Sequence, residues 1–271
     1  MDTGLPAPAS AGYEDDAAGG PDAARRWWDA NASEYLAEHG AALGAADFTW
    51  GPEGLREEDA RLLGEPEELV GLRVLEVGAG AAQCARWLRA RGVDVVATDV
   101  SDGMLAAARE LDAATGIEVP LVRADARDLP FPDGAFDVVF TSYGVLPFVA
   151  DAGQVHREVA RVLRPGGRWV FSTTHPVRWA FPDDPGPGGL TATSSYFDTR
   201  PYVERTADGD IVYAEYHRPL GRLVAEAVGA GFVVVGLTEP EWQPGRETWG
   251  GWSELRASHL PGTVVLSCRL T

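Results

Sequence analysis

The chain has 271 residues, of which 45% are hydrophobic and nine are Trp, enough for a sizeable core and too apolar for a disordered or fibrous protein. Lys and Arg number 23 against 41 Asp and Glu, a net charge of −18, and every one of those basic residues is Arg. The missing Lys excludes a Walker-type phosphate loop and a pyridoxal-phosphate Schiff base, and the acidity argues against a nucleic-acid partner.

Residues 1–22 carry five acids and no base among Ala, Gly and Pro, and read as a disordered acidic tail. Residues 23–70 read as a helical N-terminal cap. Trp28, Ala32 and Tyr35 recur at helical spacing before Gly40, and a second short helix is expected from Leu55 to Leu63, ending at Gly64. From Arg73 apolar strands (74–77, 93–98, 119–123, 136–142 and 168–173) alternate with helices (81–91, one capped by Ser101, and 151–164). That rhythm is the rhythm of βαβ units in a parallel sheet. It breaks after His175, where 176–216 reads as an insertion containing a hairpin over Tyr202–Thr206 and Ile211–Tyr216. A helix over Leu220–Gly229 and strands over Phe232–Leu237 and Thr263–Leu270 complete a domain spanning 71–271, with a Trp-rich loop at 239–262.

Cys84 and Cys268 lie far apart without paired spacing, which excludes a zinc ribbon, a redox dithiol or a disulfide framework and suggests core positions. No His/carboxylate cluster stands at ligand spacing, so no metal is expected. No run approaches the about 18 apolar residues of a membrane span, and the N-terminus opens with acids. The expectation is a cytoplasmic protein with no membrane partner; its oligomeric state stays open.

The strand Val74–Val77 leads into Gly78-Ala79-Gly80 and then a helix, a turn whose missing side chains let backbone amides approach a ligand. Asp99 follows Glu76 by 23 residues, at the end of the second strand, where a carboxylate faces the hydroxyls of a ribose. Val100 and its successors include no Arg for a 2′-phosphate. NAD and S-adenosylmethionine both satisfy this pattern. Gln83 stands where the dinucleotide fingerprint wants a third Gly, and Glu76 opposes a pyrophosphate while suiting an ammonium group.

Over residues 72–175 the chain resembles the class I S-adenosylmethionine-dependent methyltransferases, particularly the small-molecule "type 11" branch related to the quinone-biosynthesis C-methyltransferases. Val74–Gly80 is similar to the family's first motif and Asp99 to its ribose-binding acid. Ala124-Asp125-Ala126 ahead of Leu129-Pro130-Phe131 is similar to its adenine-binding turn, and Arg164-Pro165-Gly166-Gly167 to the turn before its fifth strand. The resemblance implies an α/β fold: a Rossmann-like seven-stranded, mostly parallel sheet with helices on both faces, a helical N-terminal cap and an insertion after strand 5. The last two strands would form a hairpin, one of them antiparallel. It implies S-adenosylmethionine as cofactor, with Asp125 on the adenine amino group, a backbone contact at Ala126 and Met104 on the ring. Tyr35, Glu76, Gly78, Ala79, Gly80, Asp99, Val100, Ser142 and Tyr143 complete the implied cofactor set, and family position adds Trp50. Ala81 and Ala82 depart from the family, which often places Thr or Ser there against the methionine carboxylate.

A sulfonium is already an activated leaving group, so the protein chiefly aligns nucleophile, methyl and sulfur. A base would help a hydroxyl acceptor, and His is best suited. His175, directly after the fifth strand, is the expected catalytic residue, with His217 second; His156 is placed on the exposed side of its helix. The acceptor pocket should draw on Trp28, Trp50, His175, Trp179, Tyr216 and His217, with Tyr35, Tyr143, Phe181 and Tyr196 as further aromatic candidates. The expected function is methyl transfer to an O, N or C atom of a small molecule, in secondary or quinone-like metabolism. The alternatives are an NAD-dependent oxidoreductase and a non-catalytic nucleoside-binding scaffold. Ser142-Tyr143-Gly144-Val145 lacks the Asn/Asp-Pro-Pro-aromatic signature of amino-directed nucleic-acid methyltransferases.

Overall fold

In chain order the elements are β1 (Ser10–Tyr13), α1 (Gly20–Leu43), α2 (Glu57–Ala60), α3 (Pro66–Leu69), β2 (Arg73–Val77), α4 (Gln83–Arg89), β3 (Asp94–Asp99), α5 (Asp102–Thr115), β4 (Leu121–Arg123) and β5 (Phe136–Thr141). There follow α6 (Ala152–Val162), β6 (Leu163–Thr174), β7 (Tyr202–Arg205), β8 (Ile211–Glu215), α7 (Leu220–Gly229), β9 (Phe232–Thr238), α8 (Glu254–Ala257) and β10 (Thr263–Leu270). This is a computed structural model that describes residues 8–15 and 20–271, with side chains of the second stretch described from residue 23.

Seven strands form one sheet in the order β4-β3-β2-β5-β6-β10-β9. β2 pairs in parallel with β3 and β5, β3 with β4 and β5 with β6, while β10 runs antiparallel between β6 and β9. The sheet is the one that the resemblance implied. Side chains alternate across it. Leu75, Val139, Trp169 and Phe171 pack toward α6 and α7, whereas Val74, Val138, Phe140 and Val170 pack toward α4, Phe48 and Trp50. With both faces covered, β2 and β5 are buried along nearly their whole length. The chain leaves β2 for β3 and β4 on one side and then crosses to β5 on the other, so a crevice opens at the carboxyl ends of β2 and β5.

Local signals account for most element ends. Ser101 Oγ accepts the Met104 N–H at 3.1 Å to cap α5, and Asp151 Oδ1 accepts the Gln154 N–H at 3.0 Å to cap α6. The helix expected over 55–63 is shortened to the single turn α2, and a further turn, α3, follows beyond Gly64. Glu57 explains the break: its carboxylate takes the N–H groups of Leu62 and Leu63 and the Trp50 indole N–H at 2.7–3.0 Å, which pulls the following chain into a loop. Arg61 adopts a left-handed φ of 50° there and Pro66 starts the second turn.

Residues 10–13, expected within a tail, form an edge strand. They pair antiparallel with β7, giving a three-stranded sheet β1-β7-β8, and the Glu14 carboxylate binds Arg205 at 2.6 Å. Composition misleads at this point because an edge strand is held by backbone groups and needs little apolar surface of its own. Residues 1–7 and 16–19 of the expected tail lie outside the described residues, and the helix α1 begins at Gly20. His156 is not exposed. It is buried in α6, where its Nδ1 accepts the Trp169 indole N–H at 3.0 Å and burial pushes it down to about 4.

The insertion hairpin forms as expected from β7 and β8, and α1 packs across both β8 and α5. Asp29 Oδ1 accepts from Ser101 Oγ at 2.8 Å, and the Trp27 ring lies 5.2 Å from Tyr213. Among the described residues no helix is long and apolar enough to cross a membrane.

Arg86 of α4 is fully buried. It bonds the Asp112 carboxylate at 2.7 Å and the carbonyls of Ala45, Ala81 and Ala108 at 2.8–3.2 Å, tying α4, α5 and the segment after α1 together. Arg86→Ala should cost about 3–5 kcal/mol in urea unfolding, because it strands a carboxylate and three carbonyls; a loss under about 1 kcal/mol would show that water takes over these bonds.

Candidate functional site

The turn after β2 holds Gly78, Gly80 and Ala82 at φ of 66°, 55° and 58°. A Cβ on Gly78 would stand 2.2 Å from Val145 Cγ2, and one on Gly144 would stand 3.2 Å from the Gly78 carbonyl, so the loops after β2 and β5 meet with no room for a side chain. The Gly80 N–H donates to Asp99 Oδ2 at 2.8 Å, and the Ser101 N–H donates to Asp99 Oδ1 at 2.9 Å. Burial pushes Asp99 up to about 6. Glu76 is buried deeper, with Oε2 accepting the Ala85 N–H at 2.9 Å; burial, with the nearby Asp99 carboxylate adding to it, pushes Glu76 up to about 8. A buried acid held this high is a place prepared for a cation, which would restore its charge.

These residues line a cleft of about 190 Å³. All twelve residues of the expected cofactor set border it: Tyr35, Glu76, Gly78, Ala79, Gly80, Asp99, Val100, Met104, Asp125, Ala126, Ser142 and Tyr143. The Asp125 carboxylate is held by Arg127, whose Nε reaches Oδ1 at 2.9 Å and whose Nη2 meets Oδ2; the guanidinium keeps that acid below the usual range. Sequence reasoning missed Asp47, Thr49, Gly51, Pro52, Cys84, Phe148, Arg246 and Trp249, which border the cleft as well. The apolar stretch 48–52 in a turn context was a visible signal for Thr49, Gly51 and Pro52. Nothing local marks Arg246. Cys84, expected in the core, stands in the cleft wall beside Glu76.

A second cavity, of about 210 Å³, opens off the first, and the two share Trp28, Tyr35, Ser142, Tyr143, Gly144, Phe148 and Trp249. Its aromatic wall is built by three distant segments. Trp28 of α1 meets Tyr35 at 5.2 Å and Phe148 at 5.4 Å edge-on, and Trp249 of the 239–262 loop stacks on His39 at 3.9 Å. The far side holds Arg178, which bonds Glu215 at 3.2 Å and lies 3.5 Å from Asp183. Tyr143, at the junction, has a φ of 66° and donates its N–H to Ser172 Oγ at 2.7 Å.

Several expected acceptor residues lie elsewhere. Trp50 is fully buried in the core against Phe48 and Phe140, with its N–H on Glu57, and reaches neither cavity. His175, the expected base, also borders neither: its Nδ1 accepts the Val177 N–H at 3.1 Å, capping a helical turn, and its Nε2 faces Glu239 at 3.0 Å. Burial holds it below the usual range, opposed by Glu239. Position at a strand's carboxyl end was right, but both ring nitrogens turn toward structural partners. Trp179, Tyr216 and His217 line a separate cavity of about 20 Å³, where His217 Nε2 donates to the Tyr196 carbonyl at 2.7 Å. Of the aromatic residues expected to wall an acceptor pocket, Trp28, Tyr35 and Tyr143 border the second cavity.

Residues 75–171 match the family described as "Methyltransferase domain". The chain is 47% identical over 201 residues to a demethylmenaquinone methyltransferase of Mycolicibacterium vanbaalenii, an alignment covering 71% of this chain and 73% of that protein. The chain belongs to the S-adenosylmethionine-dependent methyltransferases. A demethylmenaquinone methyltransferase of Thermus thermophilus is 46% identical over 100 residues, covering 36% of this chain and 45% of the relative; those of Clavibacter sepedonicus and a Parafrankia species are likewise matched over less than two thirds of their length. Among solved structures, an S-adenosylmethionine-dependent methyltransferase from Mesorhizobium loti superposes with a TM-score of 0.61 at 26% identity, covering 81% of this chain and 100% of that one. The methyltransferase fold therefore extends well beyond the matched segment.

Two tests follow for this methyltransferase. His175→Ala should cost about 1 kcal/mol of stability through the lost cap while leaving S-adenosylhomocysteine affinity within about twofold; a large loss of affinity would return His175 to the site. Glu76, raised from 4.5 to about 8, keeps a proton in the folded state that the unfolded chain releases, so its contribution to stability is greatest below pH 4.5 and is lost as pH rises to 8. Glu76→Gln should flatten that decline, which can reach about 1.4 kcal/mol per pH unit for one group, in denaturant titrations of the ligand-free protein; an unchanged slope would mean that Glu76 is ionised throughout.

Proposed function

We propose that the chain transfers a methyl group from S-adenosylmethionine to an O, N or C atom of a small molecule whose apolar or aromatic body lies in the second cavity. The carrying observation is the shared wall: the cleft that holds the paired acids opens into the aromatic chamber beside Tyr143 and Trp28. The cofactor supplies an activated methyl on its sulfonium. Glu76 takes its amino group, Asp99 accepts from the ribose hydroxyls, and Met104 with the Asp125–Arg127 pair borders the adenine.

Tyr143 and the aromatic wall align the acceptor and keep water from the reacting atoms; orientation of this kind supplies much of the acceleration. No histidine borders either cavity among the described residues, which favours transfer by positioning onto an acceptor that brings its own nucleophilicity. The names of the demethylmenaquinone relatives place a quinone-like acceptor among those to try first. The net charge of −18 supports a small molecule over nucleic acid. Two unpaired cysteines support a cytoplasmic setting.

Calorimetric titration tests the reading. S-Adenosylhomocysteine should bind with one-to-one stoichiometry and NAD should not, and Asp99→Asn should weaken S-adenosylhomocysteine about 10- to 100-fold while conserving the fold. Purified protein given S-adenosylmethionine and a panel of reduced quinones, phenols and amines should then release S-adenosylhomocysteine with one of them. Binding of NAD alone would sink the methyltransferase reading.

A further inference from the structure

Two cations border the cleft among the described residues, Arg127 and Arg246. Arg127 is committed to the Asp125 carboxylate. Arg246 pairs with no acid among the described residues: Nε donates to the Pro52 carbonyl at 3.2 Å and Nη1 to the Ala42 carbonyl at 3.3 Å. Of the acids nearby, Asp47 faces Arg56 at 3.6 Å, Glu53 accepts from Thr263 Oγ1 at 2.6 Å, and the exposed Glu247 forms no ion pair with Arg246. The side chain of Arg246 lies along Gly54, whose φ is 90° and whose absent Cβ would stand 2.7 Å from Arg246 Cδ. The guanidinium is thus held in place before any ligand arrives.

Its place along the cleft follows from the sheet. Asp125 follows β4, Asp99 ends β3, Glu76 lies on β2 and Ser142 follows β5, so strand order lays these residues out from one end to the other. Ser142 Oγ donates to the Thr49 carbonyl at 2.7 Å, which puts the segment 49–52, and Arg246 on its Pro52 carbonyl, at the Glu76 end. A nucleoside lying with its sugar at Asp99 and an amino acid at Glu76 brings a carboxylate to that same end. Asp47, Glu76, Asp99 and Asp125 already line the cleft, and Ala81 and Ala82 offer no side-chain donor, so that carboxylate needs a cation.

We propose that Arg246 binds the carboxylate of the cofactor's amino-acid end, and that this contact fixes the 239–262 loop whose Trp249 and Trp252 wall the acceptor chamber. The proposal rests on the cofactor reading above and adds an order to it: a cofactor with its carboxylate completes the chamber before the acceptor enters.

The experiment compares S-adenosylhomocysteine with its decarboxylated analogue, which carries a 3-aminopropyl chain on the same thioether, by calorimetry. The native protein should prefer S-adenosylhomocysteine about 10- to 100-fold. Arg246→Gln should abolish that preference while leaving affinity for the decarboxylated analogue within about twofold, and Arg246→Lys should restore part of it. Melting temperatures check the fold; Arg246→Met, which keeps the stem along Gly54, replaces a glutamine variant that does not fold. Hydrogen exchange in 239–262 should slow with S-adenosylhomocysteine more than with the analogue. A preference that survives Arg246→Gln, an equal loss for both ligands or equal protection of the loop by both would overturn the proposal and leave the cofactor reading intact. Failure of the native protein to bind either ligand would overturn both.

Discussion

The Gly80 N–H bond to Asp99 Oδ2, 2.8 Å long, joins the turn after β2 to the end of β3, and the cleft takes its shape from that junction. The turn passes through left-handed conformations at residues 78, 80 and 82, which the two glycines adopt freely and Ala82, bearing a side chain, adopts only at a cost. Behind the turn Arg86 holds α4 against α5, and ahead of it Val145 presses on the space where a Gly78 side chain would be. The arrangement leaves two buried acids, Glu76 and Asp99, facing one cavity, a costly feature that the apolar sheet on both sides must offset. Core strength is spent on holding two acids at the wall of a ligand-sized cleft.

Over this fixed cleft lies a second structure of different character. α1, the 176–216 insertion and the 239–262 loop are remote in sequence yet meet through ring contacts: Trp27 on Tyr213, Trp28 on Phe148 and Trp249 on His39. β1 strengthens the same layer by pairing with the insertion hairpin. The sheet supplies the walls of the acid-lined cleft, and the covering layer supplies the aromatic walls of the second cavity. A fold built this way changes its acceptor by changing segments outside the sheet, without disturbing the turn that carries the acids.

The histidines separate proximity from chemistry. His156 is a core hydrogen-bond acceptor for Trp169, His175 caps a helical turn and faces Glu239, and His217 anchors the insertion at the Tyr196 carbonyl. Each ring fills a structural vacancy that another polar residue could fill only with different geometry. What borders the second cavity instead is Tyr143, aromatic surface and Arg178 set between the Glu215 and Asp183 carboxylates.

The strands of the seven-stranded sheet, most helices and twelve of the residues that border the cleft were legible in the chain, because a glycine turn, an acid at a strand end and alternating apolar runs are local patterns with local causes. Even the hairpin at 202–215 announced itself through its turn. The errors share one cause. β1 pairs with a strand nearly two hundred residues away, the shortening of the helix expected over 55–63 follows from Glu57 reaching forward to backbone groups and to Trp50, and Arg246 enters the cleft from the far end of the chain. Which aromatic rings wall the chamber, and which, like Trp50, fill the core, depends on how α1 and two late loops settle on the sheet. Sequence by itself determined the sheet and the cofactor end, where spacing along one strand and turn sets the geometry; tertiary structure alone decided the acceptor end, where contacts between distant segments do.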